Sequence, residues 1–118
     1  MLNQSSALDR TFQALADPTR RAIVERLTQG PATVSDLAAP LSMSLPAVLQ
    51  HLNILANSGL VVSEKTGRVR TCRIDPQTLS LAETWINQRR AEWSQRLDRL
   101  GLYLNELNKN GESGDPAE

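Results

Sequence analysis

Two residue types are almost missing from this 118-residue chain, which has one cysteine and one histidine. A lone cysteine closes no internal disulfide, and this removes the stapled, secreted class of small domains. One Cys and one His are also a poor supply for a zinc or soft-metal site, which needs several nitrogen or sulfur ligands, so no metal or cofactor is expected. No apolar run approaches the roughly 18 residues of a membrane span. The opening Met1–Ser6 lacks the charged and apolar regions of a secretory leader, and the expected location is the cytoplasm. A charge excess is missing too, since 13 Lys+Arg face 13 Asp+Glu.

What is present reads as an ordinary globular chain, 40% hydrophobic and 22% charged, long enough for one modest core. The neutral sum hides a segregation. Lys65, Arg68, Arg70 and Arg73 crowd one short stretch against Glu64 alone, whereas Glu106, Glu112, Asp115 and Glu118 face only Lys109 near the end. Binding responds to where charge sits, so a polyanionic partner stays open.

The punctuation along the chain is clear. Residues 1–7 are expected to be a flexible lead, followed by an amphipathic helix with Leu8, Phe12, Leu15 and Ala16 at helical spacing. Asp17-Pro18 gives an N-cap and a proline at the first helical position. The second helix places Ile23, Val24 and Leu27 on one side and stops at Gly30-Pro31. Thr33 and Asp36 form a capping box for a short third helix carrying Leu37, Ala38 and Leu41. Ser44 opens a fourth, with Pro46 tolerated in its first turn and a core stripe of Leu45, Val48, Leu52 and Leu55. After Asn57-Ser58-Gly59 the period changes to that of strands. Segments 60–65 and 69–74 are joined by Thr66-Gly67-Arg68, where Gly67 supplies the positive φ of a tight hairpin, and Asp75-Pro76 closes the unit. A long helical pattern runs from Leu79 to Asn108 and is longer than a domain of this size covers by itself. A polar, acidic, disordered tail is expected over 109–118, leaving 8–108 as the ordered domain.

Closely connected short helices followed by a basic hairpin give a mainly α chain with a small β-hairpin wing, the order of a winged helix-turn-helix. That order suits duplex DNA. A capped helix seated on the core by one stripe can offer its other face to a major groove about 12 Å wide. Arginines at a hairpin tip can reach the adjacent backbone or the minor groove, where negative potential concentrates. Ser44, Pro46, Ala47, Gln50 and Asn53 are placed on or beside the outward side of the helix, with His51 on its flank. Gln50 and Asn53 bring amides that match the edge of adenine. Arg68 and Arg70 are the wing contacts, and Lys65 and Arg73 are weaker candidates for phosphates.

Leu15-Ala16-Asp17-Pro18-Thr19-Arg20-Arg21, Val34-Ser35-Asp36-Leu37-Ala38, Ser44-Leu45-Pro46-Ala47-Val48-Leu49-Gln50-His51-Leu52, Gly59-Leu60-Val61 and Gly67-Arg68-Val69-Arg70 together resemble an ArsR-type winged-helix transcriptional regulator. The resemblance spans Leu8 to Leu107 and implies a homodimeric bacterial DNA-binding protein, usually a repressor. It also implies dimerisation through the first and last helices, here through Leu8, Phe12, Trp93, Leu97, Leu100, Leu104 and Leu107. The family's metal sites are not matched. Val34-Ser35-Asp36-Leu37 stands where a Cys-x-Cys would lie, and the last helix has no histidine. The chain therefore resembles the non-metal-sensing branch, with the inducer undetermined.

Each candidate has a plainer alternative. His51 could touch DNA or hydrogen-bond within the fold. Arg20 and Arg21 could approach the duplex backbone or pair with Asp17 and Glu25. Cys72 is most simply a small residue of the wing, and Trp85, Trp93 and Tyr103 pack against a partner more readily than they line a pocket. A dimeric protein-interaction module that has lost DNA reading is the alternative function. A Cys72–His51 enzyme is set aside, because the two lie on different elements without a third group.

Overall fold

The structure is a computed structural model that describes residues 2–113. Five helices and three strands follow in the order α1 (Leu2–Leu15), α2 (Pro18–Leu27), β1 (Ala32–Thr33), α3 (Val34–Ala38), α4 (Leu45–Ser58), β2 (Val61–Thr66), β3 (Val69–Ile74) and α5 (Pro76–Ser113). The chain divides into two compact units, residues 1–82 and 83–118, with the boundary inside α5. Among the described residues, no helix is long and apolar enough to cross a membrane.

The helix starts follow from their caps. Asp17 is extended and accepts from the Arg20 amide at 3.0 Å, ahead of proline in the first turn of α2. Thr33 and Asp36 make the reciprocal capping box of α3, at 3.1 and 3.4 Å. Ser44 accepts from the Ala47 amide at 3.3 Å to open α4. Each cap satisfies an amide that the first turn leaves without a partner. The Asp75-Pro76 pair, expected only to close the hairpin, repeats the start of α2. Asp75 accepts from the Gln77 amide at 3.0 Å, so α5 begins three residues earlier than the apolar spacing indicates.

The other helix limits also shift. α1 begins at Leu2 and takes in six of the seven residues expected to be a flexible lead, because its polar first turn carries no apolar spacing to announce it. α5 runs to Ser113, past the expected end at Asn108, and residues 114–118 of the expected acidic tail lie outside the described residues.

The hairpin belongs to a three-stranded antiparallel sheet of order β1-β3-β2. β1 was not expected, since two residues are too few to show alternation. It pairs Ala32 with Cys72 and Thr33 with Thr71. β2 and β3 pair from Val61–Ile74 out to Thr66–Val69, leaving Gly67 and Arg68 as the loop. Gly67 takes φ 64° at the first loop position, and among the described residues only glycines take a positive φ.

In the first unit the core gathers Ile23, Val24 and Leu27 of α2, Leu37 of α3, and Val48, Leu52 and Leu55 of α4, together with Leu60 just ahead of β2 and Val61 and Cys72 of the sheet. Leu45, expected in the α4 stripe, is instead 53% exposed. It lies about 60° around the helix from Val48, beyond the edge of the buried sector, and faces the hairpin.

Gly59 ends α4 at φ 85°, and a Cβ there would lie 3.0 Å from Thr78 Oγ1, which Asp75 already holds at 3.4 Å. Gly67 has the same kind of φ with open space around it. Gly59→Ala is therefore expected to lower the unfolding free energy by about 2 kcal/mol, and Gly67→Ala by about 1 kcal/mol. Urea titrations of both variants check this, and equal losses would contradict the crowding at Thr78.

Candidate nucleic-acid interface

With Val48, Leu52 and Leu55 buried, the opposite side of α4 carries Pro46, Gln50 and Asn53, all exposed. Asn57 lies on the same line and is exposed, a third amide whose place beside Ser58-Gly59 in sequence marks only a helix stop. Ala47 is half-buried on the flank, and Ser44 is exposed as the cap.

The hairpin's two faces divide its charges. Side chains alternate along a strand, so Val61, Ser63 and Lys65 share a face with Ile74, Cys72 and Arg70 opposite them. The inner end of that face is buried in the core, and its outer end carries Lys65 directly across from Arg70. Two cations in that register repel. Arg70 donates to Ser63 Oγ at 3.3 Å, and among the described residues neither Lys65, Arg68 nor Arg70 forms an ion pair with a carboxylate. Arg73 differs. It sits on the other face, 3.7 Å from Glu64, and its charge is locally balanced.

Lys65, Arg68 and Arg70 line an open groove of about 380 Å³ together with Val69, with Thr33, Val34 and Ser35 at the start of α3, and with Leu45 and Leu49 of α4. The wing cations and the first turns of α4 thus border one concave surface. The sequence reading named the cations but not the apolar floor, because Leu45 and Leu49 fit a core stripe equally well by spacing.

His51 turns away from this groove, toward the junction of α1 and α2. Its Nδ1 lies 3.2 Å from Arg20 Nη1 and 3.8 Å from Asp17 Oδ2. A guanidinium only donates, so Nδ1 is the accepting atom of the Arg20 contact. Arg20 also donates from Nε to Ala14 O at 2.7 Å and from Nη2 to Gln13 O at 3.1 Å, and Arg21 donates to Leu15 O at 2.8 Å. Both arginines therefore cap the end of α1, whose last carbonyls lack partners within the helix. Neither forms the ion pair with Glu25 or Asp17 that the sequence allowed. The hydrogen bond from the Arg20 amide, with the Arg20 charge adding to it, holds the Asp17 carboxyl below its ordinary 3.8 against an opposing effect of burial. Its stabilisation is complete above the ordinary value and is lost as pH falls through the lower folded-state value.

Cys72 is 1% exposed, opposite Ala32, and burial pushes its thiol up while Arg70 pulls it partly back. In the second unit, α5 displays Trp93, Leu97, Leu100, Leu104 and Leu107 along one side, from 47% to 61% exposed. One turn ahead of that stripe, Arg89 stacks 5.0 Å over the Trp85 ring and donates to Glu92 at 3.2 Å. On α1, Leu8 and Phe12 are half-buried.

Residues 17–63 match the bacterial regulatory protein, arsR family. The HTH-type transcriptional regulator Rv2034 of Mycobacterium tuberculosis is 50% identical over 80 residues, which cover 68% of this chain and 75% of that protein. The arsenical resistance operon repressor of Escherichia coli is 31% identical over 105 residues, 88% of this chain and 87% of the repressor. Among solved structures, the ArsR family transcriptional regulator RHA00566 superposes with a TM-score of 0.71 at 44% identity, over 80% of this chain and 94% of that one.

Arg20 reaches two carbonyls and a ring nitrogen, whereas Arg21 reaches one carbonyl from an exposed position. Arg20→Ala is expected to lower the unfolding free energy by about 2 kcal/mol and Arg21→Ala by less than about 1 kcal/mol. Chemical denaturation separates the two, and a loss no larger for Arg20 than for Arg21 would contradict the three-helix role.

Proposed function

Because the chain belongs to the ArsR family of bacterial regulatory proteins, we propose that it is a sequence-specific, duplex-DNA-binding transcriptional regulator acting as a dimeric repressor. α4 enters the major groove with Gln50 and Asn53 on base edges, and Ser44, Pro46 and Ala47 make close approach at its first turn. The hairpin sets Lys65, Arg68 and Arg70 on the adjacent backbone or minor groove. The observation that carries this reading is the single groove bordered by those three cations and the start of α4. Lys65 and Arg70 face each other with like charge, and a row of phosphates relieves that repulsion. With Nδ1 engaged by Arg20, His51 positions the helix in this reading rather than reading bases. DNA as the partner places the protein in the cytoplasm. Its role is regulation, not catalysis.

The dimer rests on α5. Positions 93, 97, 100, 104 and 107 alternate steps of four and three, the seam of a coiled coil, and they stay about half-exposed along one chain. A second copy covers them, with Leu8 and Phe12 contributing from α1. Two copies then present two α4 helices about one duplex turn apart, which calls for a near-palindromic operator.

Gel shifts on DNA upstream of the protein's own gene, repeated over a range of salt, test the proposal. Each phosphate contact contributes about 0.9 to the slope of log affinity against log salt. Arg68→Ala combined with Arg70→Ala removes four contacts per dimer and is expected to reduce that slope by about 3.6. An unchanged slope takes the wing out of the interface. Failure to bind any upstream duplex favours the protein-interaction module instead.

A further inference from the structure

α4 carries no Lys, Arg, Asp or Glu from Leu45 to Ser58. Its outward line offers Pro46 and the amides of Gln50, Asn53 and Asn57. Beside that line, on the side of the hairpin, Leu45 and Leu49 are 53% and 39% exposed. They form the apolar floor of a groove whose rim is cationic through Lys65, Arg68 and Arg70. Leucines half in water between amides and cations need an occupant that is apolar at its centre and anionic at its edge.

The edges of the four bases discriminate among possible sites. Guanine shows two acceptors in the major groove and is matched by a bidentate Arg or Lys, which α4 lacks. Adenine shows an acceptor beside a donor and is matched by a side-chain amide. Thymine projects a C5-methyl group, for which the match is an apolar side chain. A strand whose phosphates lie against the hairpin cations brings its base edges toward the floor of the groove. Leucine there meets methyl groups favourably and meets a cytosine amino group without a partner.

We infer that Leu45 and Leu49 are specificity-determining residues that select thymine methyl groups, so that the operator half-site is rich in A·T pairs. Gln50 and Asn53 take adenine edges, and the hairpin takes phosphates. This inference rests on the duplex-binding reading above and adds the chemistry of its target.

The full chain is first footprinted on DNA upstream of its own gene. The protected duplex is then remade with uracil in place of the protected thymines, which deletes only the methyl groups, and separately with 7-deazaguanine in place of its guanines. Burying one methyl group changes affinity by about fourfold. Uracil is therefore expected to weaken binding by at least about tenfold over the site, and 7-deazaguanine by less than about twofold. Leu49→Ala and Leu45→Ala proteins are expected to bind the thymine duplex more weakly and to lose most of the difference between thymine and uracil. The wild-type comparison does not depend on how the variants fold. A uracil duplex bound as tightly as the thymine duplex, or a larger loss with 7-deazaguanine than with uracil, overturns the inference alone. Absence of any footprint refutes the duplex-binding reading with it.

Discussion

One guanidinium governs how the outward helix is held. Arg20 lies in the first turn of α2, close to the carboxylate that caps that helix, and its side chain reaches the last carbonyls of α1 and the ring of His51 on α4. Three helices meet at six polar atoms, the three guanidinium nitrogens, two carbonyl oxygens and one ring nitrogen. The contact is fixed in direction as well as in distance, because a planar fork of donors accepts only a narrow set of positions. Hydrophobic burial of Val48, Leu52 and Leu55 decides which face of α4 points inward. It decides less firmly how far the helix is rotated or slid, since apolar contacts are not directional. The His51 hydrogen bond supplies the direction, and Gln50, Asn53 and Asn57 then point away from the core as a consequence.

The chemistry of the outer surface is divided between two elements. α4 has amides and aliphatic groups with no charge, whereas the hairpin has cations set face to face in a register that is unfavourable in the free protein. The side chains suited to attracting a polyanion therefore sit on the wing, and those suited to base edges on the helix. This arrangement explains how a chain with no net charge can bind DNA: cations cluster on the hairpin, where Glu64 is engaged by Arg73 on the other face. The stripe on α5 carries apolar side chains left about half-exposed along one side of the helix.

Much of the fold could be read from local chemistry. Asp17, Thr33 and Ser44 each act as the cap their sequence context announces, and Gly59 and Gly67 take the positive φ their turns require. What escaped was either too short or too distant. β1 is two residues long, below any period, and exists because β3 offers it an edge. The link from Arg20 to His51 spans 31 residues and has no local signature. Leu45 satisfied the three- and four-residue spacing of the core stripe, yet sits at its margin, where rotation by a fraction of a turn exchanges core for groove. Asp75-Pro76 carried the same start signal as Asp17-Pro18 and was read only as an end, because the apolar pattern of α5 begins a turn later.

The most direct measurement of the central claim is a titration of the isotopically labelled full chain with its upstream operator duplex, following backbone amides by nuclear magnetic resonance. Amides of 44–57 and of the hairpin, 63–72, are expected to shift together at one stoichiometry, while those of the α2 start around Asp17 and Arg20 stay in place. Shifts confined to one of the two segments, or reaching saturation at different ratios, would contradict a common surface for helix and wing.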